Sequence, residues 1–390
     1  MWQYNLLIAL ILILLTIKYN INPNGTREIS FKMNNRKRRI NFDNLALIIC
    51  FLYYFIIYSF RNFTVGTDLK NYLIRYHAFA ITPFKEIFKL ADHYSFEYGF
   101  AIFVKVLTYI SDSALFFMIV TGAIISFGFY RYIKKYSNDV LFSFLIFFTF
   151  SMGTGAMNVV RQYLAIVILL ASIDYIEKNK LFKFSLFVLL ATTIHTGSVV
   201  FIVLYPLVKL TKLDARYVLA VLGGTLVIAF FGDKLLYPII GQTSFAWYIG
   251  RSGSGESMLF FSVVLTFLLF FWKKKDGDMI EREKIWFDMM MLSIIFNAAA
   301  LHLGLFERGM RFFYPALIIL VPNTLSGLSI KKMEIKKVTR TMLIIFFVLF
   351  FAYIIYTGNG NKSGGTYPYE FMDLNEFNND ALGLNNLWYK

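Results

Sequence analysis

Long apolar runs decide what this chain can be. Leu6 to Ile17, Leu45 to Phe60, Leu259 to Trp272 and Met342 to Tyr356 are near-continuous stretches of apolar side chains, close to the roughly 20 residues that a helix needs to span a bilayer. Backbone in hydrocarbon has no water to bond, so such runs must satisfy their own N–H and C=O groups as helices. An outer-membrane barrel would show short strands of alternating apolar and polar residues, and these runs do not alternate. Composition agrees: 58% of the 390 residues are hydrophobic, and a mean hydropathy of +0.59 is more than a soluble domain keeps off its surface. The expectation is an all-α polytopic membrane protein of about ten to twelve transmembrane helices.

The first run follows Met1-Trp2-Gln3-Tyr4 without a basic segment or a small-residue cleavage site, and reads as a retained span. Cys50, the single cysteine, lies inside a span and has no partner for an internal disulfide. The net charge of +15 would suit nucleic acid, but in a membrane protein basic residues first set orientation. Six short connections, 18–43, 131–138, 177–183, 209–216, 273–284 and 331–340, hold 26 of the 39 Lys and Arg residues. By the positive-inside rule these are cytoplasmic, and 61–97, 233–256, 306–311 and the tail from 358 are external. No nucleic-acid partner is expected.

The orientation implies spans at 5–17, 44–60, 217–232, 257–272, 285–305, 312–329 and 341–357. Two regions resist simple counting. Residues 98–130 must cross an odd number of times yet are long for one helix. Residues 184–208 must return to the side they left, and about 25 residues are too few for two full spans at roughly 1.5 Å each. Short or broken helices are tolerated at membrane depth where they are buried or line a cavity. The midpoint of 184–208, His195-Thr196-Gly197-Ser198, is therefore a place to look for function. The expected organisation is one membrane domain over 1–357, with 61–97 as its external loop, and an external polar tail over 358–390.

Ionisable groups near spans need a reason, since Arg at a helix centre costs about 2.5–3.5 kcal/mol on insertion scales. Arg161, in Asn158-Val159-Val160-Arg161-Gln162, follows the turn Ser151-Met152-Gly153-Thr154-Gly155 and snorkels or binds. His195 serves as an interior donor or as a catalytic group. Glu307-Arg308-Gly309-Met310-Arg311 is a solvated external connection or part of a site. In the external segment from Arg61 to Asp68 and on to Tyr72, Arg75 and Tyr76, the Tyr and Arg residues read as interface anchors. That leaves Asp68, and Glu97 where the segment closes, as the candidates there. The topology gathers these groups toward one face. Arg161, Arg308 and Arg311 suit a phosphate-bearing ligand, because guanidinium grips phosphate bidentately, and the carboxylates and His195 can supply an acid or base.

Other signals are set aside. Asp276-Gly277-Asp278 looks like a metal-binding Asp-x-Asp but falls in a cytoplasmic loop behind three lysines. Gly250 to Gly255 resembles a phosphate loop only in composition. Four scattered histidines and one cysteine give no metal-ligand spacing.

Val65-Gly66-Thr67-Asp68 then Tyr72, Glu97-Tyr98-Gly99-Phe100, Asn158-x-x-Arg161-Gln162-x-Leu164-Ala165, His195-Thr196-Gly197-Ser198 and Arg311-Phe312-Phe313-Tyr314-Pro315 resemble, in that order, the EpsG family of Wzy-like exopolysaccharide and capsule polymerases. Tyr367-Pro368-Tyr369 is similar to the family's ending. At Gly197 the sequence departs from the residue the family often has, and supplies a helix break with no particular donor. The resemblance implies a metal-independent, cofactor-free glycosyltransferase of GT-C type in the bacterial cytoplasmic membrane. It would join undecaprenyl-diphosphate-linked repeat units at the outer face, alongside a flippase and a chain-length regulator. Arg161, Arg308 and Arg311 would then take the diphosphate, Gln162 and Tyr72 sugar or phosphate, and His195, Asp68 or Glu97 the acceptor. A flippase of the same lipid-linked unit, and a glycan ligase or O-acyltransferase, are the competing expectations.

Overall fold

The computed structural model describes residues 2–21, 28–33, 36–251, 253, 256–276, 281–327, 333–357 and 364–373. Most of the expected tail, 358–390, lies outside the described residues, as do Gly277 and Asp278 of the Asp-x-Asp and Ser252, Ser254 and Gly255 of the glycine-rich loop.

The chain is an all-α polytopic membrane protein. Its α-helices are α1 Trp2–Ile21, α2 Phe42–Ser59, α3 Leu69–Ile81, α4 Ile87–Tyr94, α5 Tyr98–Ile110, α6 Ala114–Tyr136, α7 Val140–Thr149, α8 Met152–Asn158 and α9 Val160–Glu177. They continue as α10 Leu181–Ile194, α11 Leu204–Leu210, α12 Ala215–Ile240, α13 Glu256–Asp276, α14 Glu281–Ala300, α15 Leu305–Phe313, α16 Ala316–Ser326 and α17 Met333–Thr357. Five helices among the described residues are long and apolar enough to cross a bilayer, and the pair α7–α8, bent by 49°, makes a sixth. Four shorter apolar stretches among the described residues fall below that length: α5, α10, Leu259–Trp272 within α13, and the 3₁₀ run Thr196–Val203 with α11.

Both regions that resisted counting are broken. Residues 98–130 divide at Ser111-Asp112-Ser113 into short α5 and full-length α6, and residues 184–208 break at His195. Three further differences have local causes. The segment 61–97 is mainly helical, carrying α3, a 3₁₀ turn and α4. Ser151 takes a left-handed φ of 59°, so the reversal is completed there and residues expected to be a turn form α8. Glu307 to Arg311 lies within a helix, α15, whose Glu307 and Arg311 pair one turn apart at 2.5 Å. In the basic loop 18–43, strand β1 Glu28–Met33 pairs antiparallel with β2 Arg36–Asn41 in the register Glu28↔Asn41.

The helices pack as two units. One comprises Met1–Leu170, Thr193–His195 and Val338–Lys390; the other comprises Ala171–Thr192 and Thr196–Lys337. Lipid tails are as apolar as leucine and do not drive helices together, so contact shape must do so. In the first unit interlocking rings supply it: Phe51 meets Phe144 edge-on at 4.8 Å, Tyr54 meets Phe147 at 5.1 Å, and Tyr4 meets Phe148 at 5.6 Å. Side chains cap the helices where the sequence changes character. Asn41 Oδ1 accepts from the Asn44 N–H at 3.1 Å to start α2, and Asp139 Oδ1 accepts from the Phe142 N–H at 3.3 Å to start α7. In the second unit Lys284 Nζ caps the end of α11 through the Leu207 and Val208 carbonyls, at 3.1 and 2.9 Å, while pairing with buried Asp288 at 2.5 Å.

Candidate functional site

The candidate residues of the first unit gather around a sharp turn. Helix α4 stops at Tyr94 because Ser95 adopts φ 53°, and the N–H groups of Ser95 and Phe96 bond back to the Asp92 and Ala91 carbonyls. The turn leaves the Tyr94 and Ser95 carbonyls free of the helix and sets Glu97 at the start of α5. Arg161, on the first turn of α9, reaches this turn. Its Nη1 donates to Glu97 Oε2 at 2.7 Å and to the Ser95 carbonyl at 3.1 Å, and its Nε donates to Tyr72 Oη at 3.4 Å. The guanidinium also lies over the Phe96 ring, 4.6 Å from its centroid.

Arg161, Tyr72 and Glu97, read from three distant stretches of sequence, therefore form one cluster. Tyr72 is buried on α3, and burial raises its phenol above the ordinary tyrosine range. The Arg161 charge opposes that shift, and the nearby Asp68 carboxylate adds to it. Asp68 begins α3 with its carboxylate making no cap. Its backbone N–H donates to Asn158 Oδ1 at 2.8 Å, and Thr67 Oγ1 donates to the same oxygen at 3.1 Å. Gln162 is buried beside Arg161 in sequence, about 100° round the helix.

His195 follows the last residue of α10 and is half-buried. Its segment, Thr193–His195, belongs to the first unit and touches α5 directly. A Cβ added to Gly99 would overlap Thr193, approaching its backbone oxygen to 2.6 Å. The residue two places after Glu97 thus abuts the residue two places before His195, and only glycine allows that approach.

The loop before α3 is held from beneath and from the C-terminal side. Gly66 sits at φ 104°, a conformation that favours glycine, against the Met157 carbonyl. The Gly66 and Thr67 N–H groups donate to the Gly365 and Gly364 carbonyls at 2.7 and 2.9 Å. Arg61 is fully buried below: Nη2 donates to the Met157 carbonyl at 2.8 Å, Nη1 bonds the Tyr58 carbonyl, and Arg61 bridges Phe371. Tyr369 Oη donates to the Ile57 carbonyl at 2.8 Å. The Tyr-Pro-Tyr ending is thus part of the scaffold beneath Asn158 and Asp68.

Arg308 and Arg311 belong to the second unit, on α15. Arg311 pairs with Glu307, and the Arg308 guanidinium lies 5.8 Å from the Tyr248 ring centroid. Beside them the Gly253 N–H donates to the Ala300 carbonyl and the Gly304 N–H to the Arg251 carbonyl, both at 2.7 Å, tying Gly253 to the end of α14 and Arg251 to the residue before α15.

The family model for EpsG matches residues 44–371. The chain belongs to the EpsG family. EpsG is a Wzy-like polymerase family, which links the chain to polysaccharide polymerisation. No curated protein and no solved structure matches it. The Arg161 cluster, the Gly66 loop, the Arg61 bridge and the Tyr367-Pro368-Tyr369 segment all fall within the match.

The sequence points to Arg161, Gln162, Tyr72, Glu97, Asp68, His195, Arg308 and Arg311 as candidates and reads Arg61 and Arg75 as interface anchors; the structure joins Arg161, Tyr72 and Glu97 directly. The depth of Arg61 carries no periodic signal, because it lies just past the end of α2. Asn158 stands out in sequence only as a motif residue; the fold shows it as the acceptor that fixes the Asp68 loop.

Proposed function

We propose that this EpsG protein is a metal-independent polymerase that joins undecaprenyl-diphosphate-linked oligosaccharide repeat units at the outer face of the bacterial cytoplasmic membrane. The observation that carries the reading is the Arg161 cluster: a guanidinium, two carboxylates, a phenol and the His195 segment gathered by three helices and a turn. In this reading a hydroxyl of the incoming unit attacks the anomeric carbon of the donor glycan. The bond from that carbon to the phosphate oxygen breaks, and its electron pair leaves with the lipid diphosphate. Arg161 stabilises the negative charge that grows on that oxygen. The hydroxyl proton passes to Glu97, Asp68 or His195 as general base.

The Arg161–Glu97 pair has a direct consequence for such a step. An oxyanion arriving at Arg161 competes with Glu97 for the same N–H groups, so binding the donor releases a carboxylate beside the acceptor. Tyr72 and Gln162 orient sugar or phosphate. The assignment of Arg308 and Arg311 to the diphosphate rests on the order of the family motifs.

Turnover of a synthetic lipid-linked repeat unit by purified protein tests the proposal. Unsubstituted protein is expected to make polymer, and Arg161→Ala and His195→Ala to leave single units on the carrier. Full-length polymer from both variants would overturn the assignment. In a deletion strain a lost polymerase leaves single units outside, and a lost flippase leaves them inside.

A further inference from the structure

The turn that holds Arg161 holds a second arginine. Arg75, one turn after Tyr72 on α3, donates from Nη1 to the Tyr94 carbonyl at 3.4 Å, so consecutive carbonyls, of Tyr94 and Ser95, accept from different guanidinium groups. Arg75 lies 5.0 Å from the Phe96 ring centroid and Arg161 lies 4.6 Å from the same centroid. With one ring between them, the two cations are at most about 10 Å apart, each in cation–π range.

The two differ in how their charge is met. Arg161 is paired with Glu97. Arg75 makes no ion pair with any described residue; the nearby acids are committed elsewhere, Glu97 to Arg161 and Asp92 to the Tyr98 hydroxyl at 3.0 Å. Its one hydrogen bond is long, so most of its five N–H donors are unspent, and the side chain is only half-buried. A cation kept against a turn and two aromatic faces, within reach of Arg161, has donors to offer an anionic ligand.

We propose that Arg75 is the recognition cation of this site and that it binds, together with Arg161, the two phosphates of a lipid diphosphate. The inference rests on the proposed reading of the Arg161 cluster and adds to it the residue that selects for diphosphate. Charge supports diphosphate over a single carboxylate. Two fork-shaped donors, one of them already balanced by a displaceable glutamate, match a ligand with two adjacent anionic groups.

The experiment measures binding of farnesyl diphosphate, farnesyl monophosphate and inorganic pyrophosphate to the full chain in phosphatidylcholine nanodiscs, for the unsubstituted protein, Arg75→Ala and Arg75→Lys. Unsubstituted protein is expected to prefer both diphosphates over the monophosphate. Arg75→Ala should weaken diphosphate binding at least tenfold and monophosphate binding less, and Arg75→Lys should recover part of the loss. In turnover, Arg75→Ala should raise the KM for donor about tenfold with kcat changed less than threefold, a split that general misfolding would not give. Diphosphate affinity unchanged in Arg75→Ala overturns this inference and leaves the polymerase reading standing. No diphosphate binding by the unsubstituted protein overturns both. If Arg75→Ala instead weakens binding of the diphosphates and of the monophosphate equally, Arg75 does not select for diphosphate and the inference fails.

Discussion

Each unit of the protein carries an Arg–Glu pair, and the two are built differently. In the second unit Glu307 and Arg311 lie one turn apart on α15, 2.5 Å from each other, with about a quarter of each side chain exposed. In the first, Arg161 on α9 meets Glu97 from 64 residues away at 2.7 Å, and both are more buried. A helix brings residues four apart together whatever else the chain does, so the first kind of pair stabilises its own helix by about 0.2–0.5 kcal/mol. The second kind exists only if α3, α4, α5 and α9 all arrive, and it is further tied to the Ser95 carbonyl, the Tyr72 hydroxyl and the Phe96 ring. Such a pair is costly to assemble and is expected to be used.

The sharpest way to break that contrast is at Arg161. Arg161→Ala should lower turnover of a lipid-linked repeat unit by about 100-fold or more, the usual cost of removing a donor aimed at developing negative charge. Arg161→Lys should recover little, because an ammonium cannot hold the carboxylate, the carbonyl and the phenol together. Rates within threefold of the unsubstituted protein would make Arg161 a snorkelling side chain. Next in size is Glu97→Gln, which keeps the shape but removes the charge and the base. About a 100-fold loss of rate is expected if Glu97 is the general base, and nearer tenfold if Asp68 or His195 is. Asp68→Asn in the same assay separates these outcomes.

Much of this was legible beforehand, for physical reasons. Unbroken apolar runs are a local signal, and they marked α1, α2, α13 and α17 directly. Basic loops and the shortage of residues between 184 and 208 marked the break at His195. The rest is carried by backbone rather than by residue type. Nothing in Tyr94-Ser95-Phe96 announces a left-handed turn whose carbonyls hold two arginines, and an arginine after a span looks the same in sequence whether it faces lipid headgroups, like a simple anchor, or is wholly enclosed, like Arg61. Charge alone leaves Glu307 to Arg311 as a solvated connection or part of a site; the four-residue spacing of Glu307 and Arg311 is the helix signal.

Gly99→Ala asks whether the His195 segment truly depends on α5. The added methyl meets Thr193 backbone, which cannot swing aside, and overpacking of this kind costs about 1–3 kcal/mol. A lower melting temperature with roughly tenfold lower turnover is expected. Normal values of both would show that the contact yields freely.

Tyr72 gives a smaller, pH-dependent effect. Its phenol is raised by burial, so the neutral form is favoured in the fold. The corresponding stability is fully present below the unfolded tyrosine value of about 10 and is lost as pH rises through the higher folded value. Tyr72→Phe should therefore leave the pH profile of turnover unshifted between about 6 and 9 and lower the rate by a few-fold through the lost Arg161 contact. It should also flatten the fall in stability above pH about 10. A profile displaced within the neutral range would assign Tyr72 a proton-transfer role instead.

The smallest expected effect lies in the other unit, and it closes the comparison. Glu307→Gln removes the partner of Arg311 but leaves a side chain that still accepts a hydrogen bond one turn away, so stability should change by no more than about 0.5 kcal/mol. If Arg311 contacts the diphosphate, freeing it from Glu307 should not slow turnover and can lower the KM for donor slightly. Glu97→Gln and Glu307→Gln are the same chemical change made to two Arg–Glu pairs, one assembled by the fold and one supplied by helix geometry. Equal losses in both would mean that distance in sequence says nothing about use. A loss of tenfold or more confined to Glu97 would mean that the fold brings its glutamate to Arg161 for catalysis, whereas Glu307 does no more than steady its helix.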